Sequence, residues 1–131
     1  MQIPGLRVAP DLASVPWKRT QVPGVQWFPL HLDDGDASDD PRIRPGGTVL
    51  IRMEPGHGYE PHRHLGDELV LVLQGGYRDE LGSYPTGTFV RYPAGSRHHP
   101  IALGDPARPA SEDHPACVLF AVAGGTELLE R

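Results

Sequence analysis

His62 and His64 stand two positions apart, Glu68 comes four residues after His64, and His98 follows the turn Pro93-Ala94-Gly95. In an extended strand, residues i and i+2 share a face. The segment His62-Arg63-His64 therefore presents two imidazoles side by side. Leu65-Gly66 can then bend the chain, and Glu68 opens an apolar strand in which Glu68, Val70 and Val72 share the inward parity. A carboxylate at the head of such a strand is costly to bury alone and becomes reasonable against a cation. Three neutral imidazoles and one carboxylate suit one divalent transition metal ion: Fe, Zn, Mn, Ni, Co or Cu. Four protein ligands leave open positions where water, O2 or a chelating small molecule could bind. Composition alone yields His-x-His-x3-Glu about 0.02 times in such a chain, so the spacing is a signal.

Short strands must position these side chains. The chain has 16 Gly and 15 Pro in 131 residues. Its longest stretches free of both are Asp67–Gln74 and Ala116–Ala123. A typical helix needs about 11–12 residues, and an interior Pro costs about 3 kcal/mol. An all-helical fold is excluded, whereas strands of about 5–6 residues fit throughout. Ser14–Thr20 and Val25–Leu32 read as strands, with Pro29 marking an edge or a bulge. Thr48–Glu54 alternates, with Val49, Ile51 and Met53 on one face and Leu50, Arg52 and Glu54 on the other. The run Leu69–Leu73 reads as a central strand buried on both faces, and Gly75-Gly76 turns the chain. Tyr77–Glu80 and Thr88–Tyr92 follow, and Ala116–Ala123 closes a barrel. Residues 1–24 read as an irregular N-terminal segment, 104–115 as a flexible surface loop, and the tail Thr126–Arg131 as frayed. Asp33–Asp40 lacks the ligand spacing of a calcium loop and reads as a solvated hairpin loop. One domain spanning 1–131, an all-β sandwich or barrel, fits this spacing.

The formal charge is −5, with 12 basic residues against 17 acidic, and Lys18 is the only lysine. No basic patch for nucleic acid stands out. No apolar run approaches the ~18–20 residues that cross a bilayer, and Met1–Pro10 has no apolar signal-peptide core. Cys117 is the only cysteine, which excludes an internal disulfide and multi-cysteine zinc sites. The expected setting is a reducing cytoplasm, and the expected partners are a small-molecule ligand or substrate, with neither nucleic acid nor membrane.

The pattern Gly56-x5-His62-x-His64-x3-Glu68-x6-Gly75 matches the first cupin motif at every specified position. Gly87-x5-Pro93-x-Gly95-x2-His98 matches most of the second, with Ala102 where the motif ends in Asn. More narrowly, Pro61–Gly75 and Asp79–His98 resemble the ChrR-like cupin family, with weaker similarity back to Pro23-Gly24-Val25 and forward to Cys117–Val122. The resemblance implies an all-β cupin barrel, a double-stranded β-helix or jelly roll, with the metal inside it. Carried over position by position, the ligands are His62, His64, Glu68 and His98. Relatives of this kind include the zinc-binding C-terminal domain of ChrR-type anti-sigma factors and free-standing enzymes similar to acetylacetone-cleaving dioxygenases. The former carry a separate N-terminal zinc domain with paired Cys, which this sequence does not show, so direct sigma-factor binding is not expected. The expected function is an Fe(II)-type dioxygenase acting on a small chelating ketone or diketone. The alternative is a non-catalytic zinc-binding sensor module. A homodimer is expected, with Trp17–Leu32 as the exchanged or packed edge.

Strand parity turns His99 away from His98. His57 is expected at the surface near the barrel mouth, and Arg63 points away from the metal. Tyr59, Glu60, Arg91, Tyr92 and Arg97 are candidates to line the mouth. Cys117 reads as a buried, inert thiol, and Trp17, Trp27, Phe28 and Phe120 as core or interface.

Overall fold

The computed structural model describes residues 3–4, 9, 11–33 and 40–129. Among them the only helical piece is a single 3-10 turn, Leu12–Ser14, closed by the Asp11 side chain accepting from the Ser14 N–H. The rest is strand, turn and irregular chain: β1 (Lys18–Arg19), β2 (Val25–Leu32), β3 (Ile43–Arg44), β4 (Gly47–Met53), β5 (His62–His64), β6 (Glu68–Gln74) and β7 (Gly76–Asp79). Then come β8 (Gly82–Pro85), β9 (Phe89–Tyr92), β10 (Arg97–His98), β11 (Ile101–Ala102), β12 (Cys117–Ala123) and β13 (Thr126–Leu128).

They form a six-stranded sheet in the order β1-β2-β4-β12-β6-β9, a four-stranded sheet β10-β5-β13-β3 and a three-stranded sheet β11-β7-β8. All pairings are antiparallel. This is the jelly-roll barrel that the resemblance implies. Alternation along β4, β6 and β12 sends Met53, Val70, Val72, Leu119 and Ala121 into one core with Val25 and Tyr77. Pro29 sits where the β2–β4 register shifts, so the expected bulge is present. Gly75 turns β6 into β7 at φ 66°, and a Cβ there would meet the Ala116 carbonyl oxygen at 2.7 Å. Only glycine combines that backbone angle with that approach.

Three expectations are corrected. The strand β6 lies inside its sheet, between β12 and the edge strand β9, yet only one face is buried: Leu69 and Leu71 are 37% and 36% exposed on the outer face. Ser14–Thr20 contributes only the two residues of β1 to the sheet. The tail is not frayed through its described length, because Thr126–Leu128 forms β13 and pairs with both β5 and β3. Residues 104–115 carry no strand, but His114 Nε2 accepts from the Asp105 N–H at 2.9 Å and Ser111 bridges His114. Most of the Asp33–Asp40 loop and of Met1–Pro10 lies outside the described residues.

Candidate metal centre

Cross-strand register assembles the site. β10 pairs with β5 so that His98 lies opposite His62 and Arg97 opposite Arg63. Paired residues share a face, so His62, His64 and His98 all turn inward while Arg63 and Arg97 turn outward. The turn that delivers His98 uses Gly95 at φ 89°, and the Gly95 N–H donates to the His64 carbonyl at 2.7 Å. Glu68 comes from the other sheet at the head of β6, beside Tyr92 of β9. All four expected residues are buried and brought together.

Three imidazole rings face one another, with centroids 4.5–5.0 Å apart. In each, the hydrogen-bond partner of Nδ1 fixes the tautomer. His62 Nδ1 donates to the Glu60 carbonyl at 2.8 Å. His98 Nδ1 donates to Asp79 Oδ2 at 3.0 Å. His64 Nδ1 meets Ser96 Oγ at 2.9 Å, and that hydroxyl already donates to the Pro93 carbonyl at 2.6 Å, so it accepts from His64. With every Nδ1 carrying the proton, every Nε2 presents a lone pair.

Those lone pairs converge. His62 Nε2 and His98 Nε2 are 3.0 Å apart, and His64 Nε2 is 2.9 Å from Glu68 Oε2. Among the described residues, His64 Nε2 is the one buried side-chain nitrogen or oxygen without a hydrogen-bond partner. Two acceptors at about 3 Å repel unless a cation lies between them, and this is the spacing of adjacent ligand atoms around an ion bound at about 2.0–2.2 Å. The three buried histidines could hold a metal ion, with one ligand atom each, all within 4.8 Å. The donor set therefore fits a divalent transition ion. Burial lowers His62 to about 4 against weaker opposing effects, and burial likewise lowers His98, so both rings are neutral and free to ligate at pH 7.

Asp79, which the sequence reading did not single out, stands behind His98 with its side chain fully enclosed. Its Oδ2 also accepts from the Tyr92 hydroxyl at 2.8 Å, and Oδ1 accepts from the Tyr84 hydroxyl and the Leu81 N–H. Burial alone would raise its pKa. The hydrogen bonds from Tyr92, His98, Leu81 and Tyr84 outweigh burial and hold it below the ordinary carboxylate range. The Tyr77 and Tyr92 hydroxyls are 2.6 Å apart and extend the network into the core, where burial raises both phenols. The signal lay in the parity of β7: Tyr77 and Asp79 share a face, so an inward Tyr implies an inward acid.

The other candidates sort by side. Tyr59 and Glu60 line the cavity, with the Tyr59 ring edge-on to His62 at 5.2 Å. Arg91 and Arg97 are exposed, Arg91 pairs with Asp67, and Tyr92 is buried behind His98; none of these three is among the residues that line the cavity. His57 is not a surface residue: it is half-buried against Gly24, with Nδ1 bonded to the Pro55 carbonyl. His99 stays outside the cluster, its N–H donating to Glu80. Arg63 pairs outward with Glu127 at 2.7 Å. Cys117 is buried, and burial pushes its thiol up to about 12. Trp27 lines the cavity.

That cavity, about 570 Å³, lies between the two large sheets and reaches His62, Glu68 and His98. Its far wall is apolar, formed by Val49, Ile51, Met53 and Leu119. This volume is in the range of small-molecule sites.

Residues 7–107 match the ChrR cupin-like domain family. The chain belongs to that family. No curated protein sequence matches this cupin. Among solved structures it is similar to a chain of the complex of Rhodobacter sphaeroides SigE with the anti-sigma ChrR, at 26% identity and TM-score 0.61, covering 86% of this chain and 50% of that one. It therefore spans half the length of that chain. An RmlC-like cupin from Ralstonia eutropha matches at 22% identity and TM-score 0.65, over 92% of this chain and 70% of that one. An acetylacetone dioxygenase from Acinetobacter johnsonii matches at 13% identity and TM-score 0.57, over 82% and 64%. The last two likenesses show the fold alone. Among the described residues no helix of this cupin is long and apolar enough to cross a membrane.

Proposed function

We propose that this cupin is a metal-dependent enzyme of the Fe(II) dioxygenase type, acting on a small chelating ketone or diketone. The observation that carries the reading is the cavity beside the ligating cluster: a purely structural ion needs no such space, and a substrate does. His62, His64, Glu68 and His98 would hold the ion. When bound, the ion supplies Lewis-acid and redox chemistry to a chelating oxygen pair. The chain does the rest. Asp79, Ser96 and the Glu60 carbonyl hold the imidazoles in one tautomer and orientation. Val49, Ile51 and Leu119 exclude water and seat the apolar part of the substrate. Anaerobic loading with Fe(II), followed by oxygen-uptake assays across a panel of diketones, tests the reading. Substrate-dependent uptake supports it; no uptake with any diketone at full iron loading contradicts it.

The 26% identity to the chain of the SigE–ChrR complex favours a second reading, a zinc-binding sensor module. Tight zinc binding that persists through exchange with Fe(II), together with silence in the oxygen assay, selects it. The homodimer belongs with these proposals: a second copy would cover the outer-face residues Leu69, Leu71 and Phe89, which are exposed in the single chain. Sedimentation equilibrium distinguishes one copy from two.

A further inference from the structure

Among the described residues the cavity holds one cation that the metal centre does not use. Arg44 of β3 pairs with Thr126 of β13, and Thr126 pairs in turn with His64 of β5. Cross-strand partners share a face, so the inward turn of His64 sets that of Thr126 and Arg44, and both line the cavity. Adjacent strands lie about 4.8 Å apart, which places the Arg44 backbone about 10 Å from that of His64. The Arg44 guanidinium lies beside the Tyr59 hydroxyl, whose ring touches His62.

Arg44 is also underused. Arg42, Arg52, Arg63 and Arg91 each have a carboxylate partner. Among the described residues Arg44 has none; Nη1 donates to the Pro41 and Ile43 carbonyls, and the guanidinium otherwise meets only the neutral Tyr59 hydroxyl. A guanidinium is charged at any working pH and offers five donors in a planar fork. The opposite wall, in the six-stranded sheet, carries Val25, Val49, Ile51 and Leu119. A permanent cation facing an apolar chamber is matched by an anion on an apolar body, and the fork fits a carboxylate.

We propose that Arg44 anchors the carboxylate of an apolar oxo acid whose carbonyl oxygens lie at the His62, His64 and His98 end of the cavity. This rests on the enzyme reading above and narrows its substrate from neutral diketones to acids with a carboxylate several bonds from the chelating group.

The test uses the zinc-loaded protein, which is redox-inert, and calorimetric titration with 4,6-dioxoheptanoate and its methyl ester. The pair shares the chelating diketone and differs in the distal charge. The wild-type protein should bind the acid about ten- to hundredfold more tightly than the ester. Arg44→Gln should erase that preference while leaving ester affinity unchanged, and Arg44→Lys should retain part of it. Equal affinity for acid and ester, no binding of either, or a preference that survives Arg44→Gln overturns the assignment. Thermal melting of both variants checks folding, and the wild-type comparison stands without them. The reaction is tested separately: acid preference without oxygen uptake on the Fe(II) protein contradicts the dioxygenase reading and leaves Arg44 in place.

Discussion

The cavity has two walls of the same secondary structure that are built under different rules. The β10-β5-β13-β3 wall carries polar groups, and each buried imidazole there has its Nδ1 tied to a specific acceptor. The six-stranded wall carries Val49, Ile51, Met53 and Leu119 and needs only close packing. Glu68 is the exception, an acid on the apolar wall, and it faces His64 Nε2 across the gap. An unpartnered buried polar group costs far more than an imperfect apolar contact. The polar wall is therefore specified atom by atom, and the apolar wall by volume.

The largest effect should come from emptying the polar wall. His64→Ala removes one of the three converging lone pairs and should abolish stoichiometric metal binding, read by elemental analysis of the purified protein. Retained metal at one equivalent would remove the distinction between the walls. Next comes the support behind the ligands. Asp79→Asn keeps the shape but leaves His98 without its anionic acceptor, and metal affinity should fall about 10–100-fold. The cobalt-substituted protein should show an altered visible spectrum. An unchanged affinity would mean that His98 is held by packing alone.

On the apolar wall the readout changes from metal to stability. Met53 is 1% exposed, and Met53→Ala should cost about 2–5 kcal/mol in denaturant unfolding. Its metal stoichiometry should be unchanged. A smaller, pH-dependent effect separates the walls again. Burial holds His62 near 4 in the fold, against 6.5 ordinarily. The unfolded chain therefore takes up the proton first, and the metal-free protein should lose stability as pH falls from 6.5 towards 4. His62→Gln should flatten that slope, whereas a slope unchanged in the variant would assign it elsewhere. The smallest effect belongs to the outer face of β6: at concentrations where sedimentation shows a single copy, Leu71→Ser should change stability by no more than about 0.5 kcal/mol. A loss as large as that of Met53→Ala would show the outer face to be buried in solution.

The convergence of the buried histidines was legible because most of its signal is local. His62 and His64 share a face through strand parity alone, and the Gly and Pro residues punctuate nearly every strand that carries the site. Arg44 was not legible, because it reaches the cavity only through the pairing of β3 with β13, and Asp79, enclosed behind His98, could be read only from the inward turn of Tyr77 on the same strand. The tail was misread for the same reason. Thr126–Leu128 has little strand character of its own and is ordered by β5 and β3. The run Leu69–Leu73 misled in the opposite direction: composition suggested burial on both faces, whereas within one chain only the Val70 and Val72 side has anything to pack against.

X-ray absorption at the metal edge of the loaded protein, compared with Glu68→Gln and His98→Ala, reads the central claim most directly. We predict one ion per chain, with three imidazole ligands and one carboxylate oxygen in the wild type, and one imidazole fewer in His98→Ala. A spectrum without imidazole scattering, or one that neither substitution alters, would contradict it.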